Sequence, residues 1–142
     1  MKLRKAFLAV ALLVFVAPVA AAESEQGPTI RIGSKVFTES VILGEMIKHL
    51  AASTGQRAFH QRELGGTRVL WSALLAGEID IYPEYTGTLT QEILAREGLR
   101  SEADLHRALA ERGLRMTPPL GFGLRRRGGA RRPALCVPAR RP

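Results

Sequence analysis

Residues 79–88, with the sequence IDIYPEYTGT, concentrate the side chains of this chain that could bind a small cation. Tyr82 and Tyr85 flank Glu84, and Thr88 follows in the turn. Aromatic ring faces and carboxylates both attract positive charge. The alternative is a strand end and turn whose tyrosines pack as half-buried amphipathic side chains. The segment alone does not separate these two interpretations, so the neighbouring loops matter.

Two further positions carry side chains suited to an anionic group. Lys35 directly follows the first predicted strand and could fix a carboxylate, although most single lysines are simply solvated. Gly65 and Gly66 precede Thr67 at a helix start, where free amides, the helix dipole and a hydroxyl favour an anion. The alternative is that the glycines turn the chain and Thr67 caps the helix. This short run is neither a P-loop nor a dinucleotide fingerprint.

Catalytic and metal-binding patterns are missing from the sequence. His49, His60 and His106 have no partner at metal-ligand spacing, and no serine lies in a nucleophile elbow. Cys136 is the single cysteine, so an internal disulfide is impossible. We therefore predict no catalytic residue, no metal site and no cofactor.

Alternating hydrophobic patterns predict a parallel α/β arrangement. Strands are predicted at residues 29–34, 57–63 and 79–82, with helices between them and after them. The first helix is predicted to follow a Thr38 cap and to bury one apolar face made of Val41, Ile42, Met46, Ile47 and Leu50. Further helices are predicted at residues 89–96 and from a Ser101–Asp104 capping box to Arg112. Ligands of such sheets bind beyond the carboxyl ends of the strands, here residues 35–38, 64–67 and 83–88.

The first residues are typical of an export signal. A positive start is followed by an apolar run over residues 6–16 and by Ala20-Ala21-Ala22 before Glu23. That run is shorter than the roughly 20 residues that cross a bilayer. We predict that residues 1–22 are cleaved and that the mature protein is soluble and periplasmic.

The net charge of +8 arises at the two ends of the chain. Residues 23–123 hold 11 basic and 13 acidic residues, whereas residues 124–142 hold seven arginines and no acid. A sequence pI near 10.8 ordinarily suggests nucleic acid, but the body has no basic stripe, and we expect no nucleic-acid partner. Residues 124–142 are interpreted as a disordered basic tail or as sequence read out of frame. We favour the second, because the α/β pattern stops abruptly at residues 117–120.

Three runs of the sequence together resemble one protein family. IRIGSKVFTES, ELGGT and ALLAGEIDIYPEYTGTLT are similar to segments of the substrate-binding proteins of osmoprotectant ABC transporters, which bind glycine betaine, choline or related quaternary amines. The resemblance covers residues 29 to about 122. It implies a type II periplasmic-binding-protein fold with two α/β lobes, a ligand in the cleft between them, and the membrane permease of an ABC importer as partner.

The same resemblance implies roles for five residues. Tyr85 is the first candidate for a wall of an aromatic cage, and Tyr82 is the second. Lys35 and Thr88 would hold the carboxylate of a betaine, and Thr67 would line the same cleft. A quaternary ammonium has no N–H to donate, so ring faces are its natural partners.

The chain departs from this family in its extent. Residues 23–123 correspond to most of lobe one, and no second lobe follows, so we expect a truncated or frameshifted member. Two alternatives from other classes remain at this point. One is a small secreted α/β enzyme, and the other is a nucleic-acid or membrane-surface binder that acts through the arginine-rich tail.

Overall fold

The computed structural model describes residues 27–121, 124–126 and 129–139 of the chain. Its strands are β1 Ile30–Lys35, β2 Ala58–Gly65, β3 Tyr82–Tyr85, β4 Leu114–Met116, β5 Leu124–Arg126, β6 Gly129–Arg131 and β7 Pro133–Pro138. The α-helices are α1 Thr38–Ser53, α2 Thr67–Leu75, the single turn α3 Thr86–Thr88 and α4 Glu102–Ala110. A π-helical turn at Leu89–Ile93 and a 3-10 turn at Ala95–Glu97 lie between α3 and α4. The predicted export signal lies outside the described residues.

The parallel part of the sheet brings three strand ends to one edge. β1 pairs with β2 in parallel, starting with Ile30 opposite Ala58, and residues 79–81 run parallel to β1 on its other side. There the Gly33 amide donates to the Ile81 carbonyl at 2.9 Å. The predicted strand–helix–strand–helix–strand order is therefore present. β3 itself begins at Tyr82, three residues later than predicted, because residues 79–81 pair with β1 before the chain joins the next sheet.

The tail supplies three strands where none was predicted: β5 and β6 pair with one another, and β7 joins the sheet of β3 and β4. β7 lies between β3 and β4 and runs antiparallel to both. Ala134 and Cys136 are completely buried there, because the short apolar run PALCVP fills a gap that would otherwise leave two strand edges unpaired. The expectation of a disordered tail is therefore wrong for residues 124–126, 129–131 and 133–138, whereas the out-of-frame origin stays a prediction. Residues 127–128 and 140–142 lie outside the described residues.

The core lies between α2, α4 and the sheet formed by β3, β7 and β4. Its members other than alanine are the buried side chains of Leu70, Trp71, Leu74, Ile79, Tyr82, Leu89, Leu94, Leu105, Leu109, Leu114, Met116 and Cys136. Gly33 of β1 permits the close approach of α2 to the sheet. A Cβ at Gly33 would lie 2.7 Å from Leu70 Cδ1 and 2.8 Å from Ile79 Cδ1, a distance at which carbon atoms clash.

Helix α1 buries only Val41 and Ile47 of the predicted apolar face and packs mainly through an adjacent face. Its buried residues are Ser40, Val41, Leu43, Gly44 and Ile47, while Ile42, Met46 and Leu50 are 54%, 60% and 65% exposed. The reason is steric, because Gly44 lies directly on the ring of His60 in β2, where a Cβ would come within 2.3 Å of Nε2. The helix therefore contacts β2 through Gly44, its smallest residue, and not through its largest apolar residues.

The helix ends follow the predicted signals in part. The capping box of Ser101 and Asp104 is present at the start of α4, which ends at Ala110 rather than at Arg112. Thr38 is the first residue of α1 rather than its cap, since Phe37 occupies the cap position. The segment predicted as one helix over residues 89–96 is divided into the π-helical and 3-10 turns. Within the described ranges, no helix is both long enough and apolar enough to cross a membrane.

Candidate ligand-binding site

The side chain of Lys35 joins the three loops at the carboxyl edge of the parallel strands. Lys35 is the last residue of β1, and its Nζ donates a hydrogen bond of 3.1 Å to Thr67 Oγ1 at the start of α2. The same Nζ lies 2.6 Å from Glu84 Oε1 in β3. Lys35 is only 4% exposed, so its charge is compensated inside the protein rather than by water. The predicted convergence of Lys35 and Thr67 is present in the structure.

Glu84 is the acidic centre of this cluster. Its side chain is completely buried, and Oε1 accepts a second hydrogen bond, of 2.8 Å, from the backbone amide of Tyr85. The other carboxylate oxygen, Oε2, has no hydrogen-bond partner in the part of the chain that the structure describes. Burial raises the pKa of the Glu84 carboxyl, and the nearby Lys35 ammonium opposes that increase. Sequence reasoning placed Glu84 in the cation-attracting segment but did not include it among the site residues.

The ring of Tyr85 forms a corner with the ring of Phe37. The two ring centroids are 6.0 Å apart and the planes are inclined by 42°. Lys35 Nζ lies 5.8 Å from the Tyr85 centroid, so the ammonium and the rings share one small region. Phe37 is 41% exposed, whereas Tyr85 is only 8% exposed. Sequence reasoning missed Phe37, although its position two residues after Lys35 at the same strand end was the available signal.

The hydroxyl group of Tyr85 is buried without a hydrogen bond among the described residues. Burial raises its pKa, and the carboxylates of Glu39 and Glu84 add to that effect. The phenol is therefore neutral at physiological pH and leaves the ring face as the main surface that this residue can offer.

Tyr82 and Thr88 are less closely joined to the cluster. Tyr82 is completely buried as a member of the core, and burial, followed by the neighbouring Glu84 carboxylate, raises the pKa of its hydroxyl. Thr88 is 4% exposed at the end of α3. No side-chain hydrogen bond between described residues connects Thr88 to Lys35. The structure thus brings Lys35, Thr67 and Tyr85 together and places Tyr82 behind them in the core.

A serine, a histidine and a glutamate form a second network beneath this edge. His60 Nε2 lies 2.8 Å from Ser34 Oγ, and Nδ1 lies 2.9 Å from Glu45 Oε1. Hydrogen bonds from Lys48 and then from His60 lower the pKa of Glu45 to about 2. The order resembles a hydrolase triad, but Ser34 is completely buried and has no access to a substrate.

This network has a structural task instead. Ser34 Oγ also accepts the backbone amide of Glu63 at 3.2 Å, and Glu63 has the left-handed φ of 53°. A non-glycine residue adopts that conformation only where its surroundings hold it. The network therefore fixes the end of β2 just before the loop that carries Thr67. Within the described ranges, no group of three or more histidine, cysteine or acidic residues could hold a metal ion.

An open groove lies apart from the Lys35 cluster. It has a volume of about 580 Å³ and is lined by Arg68 and by residues 92–97 around the two irregular turns. Arg68 and Glu97 give it mixed charge, and none of its lining residues contributes to the Lys35 cluster. The groove therefore adds nothing to the candidate site.

The comparisons with known proteins concern the family and the fold of the chain. Residues 28–127 match the family described as the substrate binding domain of the ABC-type glycine betaine transport system. The glycine betaine-binding protein YehZ of Escherichia coli strain K12 is 43% identical over 58 residues, which are 41% of this chain and 19% of that protein. This chain therefore spans about a fifth of the curated relative that it matches.

Two solved structures resemble the fold. The apo structure of YehZ from E. coli superposes with a TM-score of 0.58 at 28% identity, over 64% of this chain and 35% of that one. A structure described as a glycine betaine/carnitine/choline ABC transporter gives a TM-score of 0.56 at 18% identity, over 68% of this chain and 38% of that one. The likeness confirms the predicted α/β, periplasmic-binding-protein-like fold over little more than a third of those chains. Since the family match extends over most of this sequence, the chain belongs to the substrate-binding domains of ABC-type glycine betaine transport systems.

Proposed function

We propose that this chain binds a quaternary-amine osmoprotectant, such as glycine betaine or choline, for delivery to the membrane permease of an ABC importer. The observation that carries the proposal is the meeting of an ammonium, a hydroxyl and two aromatic rings at one strand edge. In this proposal residues 1–22 are a cleaved export signal, and residues 23–123 form most of the first lobe of a periplasmic binding protein. The glycine betaine-binding relative and the family match support it.

The rings supply the cation-binding half of the proposed site. A trimethylammonium group is bulky and cannot donate a hydrogen bond, so it is attracted chiefly by the negative face of aromatic rings. The rings of Tyr85 and Phe37 lie 6.0 Å apart at 42° to one another, so two ring surfaces meet beside Lys35 and the exposed one belongs to Phe37. Tyr82, the second candidate from the sequence, is completely buried in the core behind Tyr85, so Tyr85 rather than Tyr82 is the proposed ring contact.

The Lys35 ammonium supplies the anion-binding half. An ammonium group has three N–H donors, of which Glu84 and Thr67 accept two, so one donor is left for a ligand carboxylate. Thr67 begins α2 beside Gly66, where free backbone amides and the helix dipole also favour negative charge. Thr88 is the remaining proposed contact to a carboxylate, through its hydroxyl.

The test compares ligands that share one shape and differ in charge. The purified chain is titrated with glycine betaine, with choline and with 3,3-dimethylbutan-1-ol, the uncharged carbon isostere of choline, and NMR shifts of backbone amides are followed. We expect saturable shifts around residues 35–37, 66–67 and 84–88 with the two amines and none with the alcohol. Absence of binding by both amines, or equal binding of the alcohol, would overturn the proposal.

A further inference from the structure

We infer that Glu84 determines the ligand preference of this site by cancelling the charge of Lys35, so that the site accepts a simple cation as well as a zwitterion. This inference rests on the proposed function and deepens it. Glu84 acts here as a positioning and charge-setting residue behind the ligand rather than as a ligand contact.

The first part of the argument is geometric. A single atom, Glu84 Oε1, lies 2.6 Å from Lys35 Nζ and accepts the Tyr85 amide at 2.8 Å. Lys35 belongs to the anion-binding half of the site and Tyr85 to the ring half. One carboxylate oxygen therefore contacts both the anion-binding half and the ring half of the site, and it fixes their relative positions.

The second part concerns charge. The exposed fraction is 5% for the Lys35 side chain and zero for that of Glu84, so bulk water and salt screen neither. A buried lysine without its partner would attract a carboxylate strongly and repel a trimethylammonium group a few ångströms away. With Glu84 ionised, the pair is neutral and that repulsion is removed.

The third part concerns what else faces the pair. The other polar contacts of Lys35 are neutral, since its Nζ donates to Thr67 Oγ1 and its backbone amide donates to Ser40 Oγ. Glu84 Oε2 makes no hydrogen bond among the described residues, and the neighbouring Tyr82 hydroxyl is neutral, so it leaves the negative potential of the carboxylate in place. That potential favours a ligand cation beside the Tyr85 ring and opposes a ligand anion beside Lys35. Loss of the Glu84 charge should therefore weaken the binding of cationic ligands and strengthen the binding of a ligand carboxylate.

The experiment measures the Kd of glycine betaine and the Kd of choline for three proteins: the unmodified chain, Glu84→Gln and Glu84→Asp. Glutamine keeps the size and an acceptor oxygen but removes the charge, whereas aspartate keeps the charge. We expect Glu84→Gln to shift the ratio of the choline Kd to the glycine betaine Kd by about tenfold or more towards glycine betaine. Glu84→Asp should keep the original ratio within about threefold, and so should Glu78→Gln, which removes an exposed acid from the turn before β3.

The ratio separates this role from a structural one, because loss of structure weakens both ligands alike. An unchanged ratio in a folded Glu84→Gln variant would overturn the inference and leave the proposed function intact. Failure of the unmodified chain to bind either ligand would instead overturn the proposed function itself.

A second measurement needs no variant and covers the case in which Glu84→Gln does not fold. The unmodified chain is titrated with 3,3-dimethylbutanoate, the carbon isostere of glycine betaine that keeps only the carboxylate. A neutralised Lys35 predicts that this anion binds at least about tenfold more weakly than choline. Binding of the anion as tightly as choline would show that Lys35 acts as a free charge and would overturn the inference.

Discussion

At the scale of single residues, the centre of the site is a lysine and a glutamate that form a buried ion pair. Taking two charges out of water costs several kcal/mol per ion, and the pair recovers this only with good geometry and added hydrogen bonds. Here Thr67 and the Tyr85 amide provide such bonds. The pair is therefore weak evidence for stability, and its value lies in the arrangement that it imposes on the two halves of the proposed site.

The ring of Tyr85 gives the first prediction. Tyr85→Ala should weaken the binding of both glycine betaine and choline by about 1–2 kcal/mol, the scale of a desolvated cation–π contact. Tyr85→Phe should cost much less, because the ring face remains and the buried hydroxyl makes no hydrogen bond among the described residues. Calorimetric titration measures both. Phe59→Ala, which removes an exposed aromatic ring near the other end of β2, is the control and should leave affinity unchanged.

The ion pair gives the second prediction. Lys35→Met should lower the free energy of unfolding at neutral pH by about 3–5 kcal/mol, because it leaves Glu84 buried without a counter-charge. The double variant Lys35→Met/Glu84→Gln should recover most of that loss, since no unpaired charge is then buried. Urea unfolding followed by circular dichroism measures the three proteins, and equal stability of the single and double variants would contradict the prediction.

The same variant should also have a distinctive pH dependence. The folded pKa of Glu84 is raised above the ordinary 4.5, and loss of Lys35 removes the interaction that opposes this increase. A carboxyl with a raised folded pKa contributes its full stability below its unfolded pKa and loses that contribution as the pH rises towards the folded pKa. The deficit of Lys35→Met should thus be small near pH 4.5 and grow with increasing pH. A constant deficit across this range would argue against an ionising Glu84 as its cause.

At the scale of elements, α1 shows how packing selects among apolar residues. A helical period identified the helix, but two overlapping apolar faces were available to it. Gly44 decided between them because only a glycine permits contact with the His60 ring, and the buried network of Ser34, His60 and Glu45 holds that ring in place. The exposed side of α1 consequently carries Ile42, Met46 and Leu50.

A pair of matched substitutions in α1 gives the third prediction. Leu43→Ala should destabilise the chain by about 2–5 kcal/mol, because Leu43 is 5% exposed and its removal leaves a cavity. Leu50→Ala changes the same side chain in the same helix but at 65% exposure, and should alter stability by less than about 0.5 kcal/mol. Thermal unfolding of both variants measures the difference. Similar losses would mean that α1 buries the face that sequence periodicity alone indicates.

At the scale of the whole molecule, the arginine-rich tail completes the sheet. β3 and β4 do not touch one another in the sheet order, and β7 is the strand that joins them. The backbone carbonyl of Pro133 accepts the amide of Leu120, so the tail also fixes the segment that leads away from β4. The apolar residues of this tail are concentrated in β7, and the backbone hydrogen bonds of both neighbouring strands depend on that strand.

Cys136 makes the fourth prediction possible, because it is the only cysteine and lies within β7. Its thiol is completely buried, and burial raises its pKa, so both access and thiolate formation are suppressed. We expect the native chain to react with a thiol reagent at least about a hundredfold more slowly than the chain unfolded in urea. Reaction at the unfolded rate under native conditions would show that residues 133–138 are not a strand.

The sequence by itself determined the α/β class, the order of the first three strands, the loops that meet at their carboxyl ends and the role of Ser101 as a cap. These features follow from the local periodicity of apolar residues and from turn and cap residues, which can be read within a few positions. The rule that parallel strands end at one edge of a sheet then places the loops together. Only the tertiary structure decided which face of α1 is buried, that Phe37 lies beside Tyr85, and that Glu84 forms a buried ion pair with Lys35. It also decided that residues 133–138 form a central strand. Each of these depends on contacts between distant parts of the chain, where burial and steric fit outweigh the local preferences that a sequence displays.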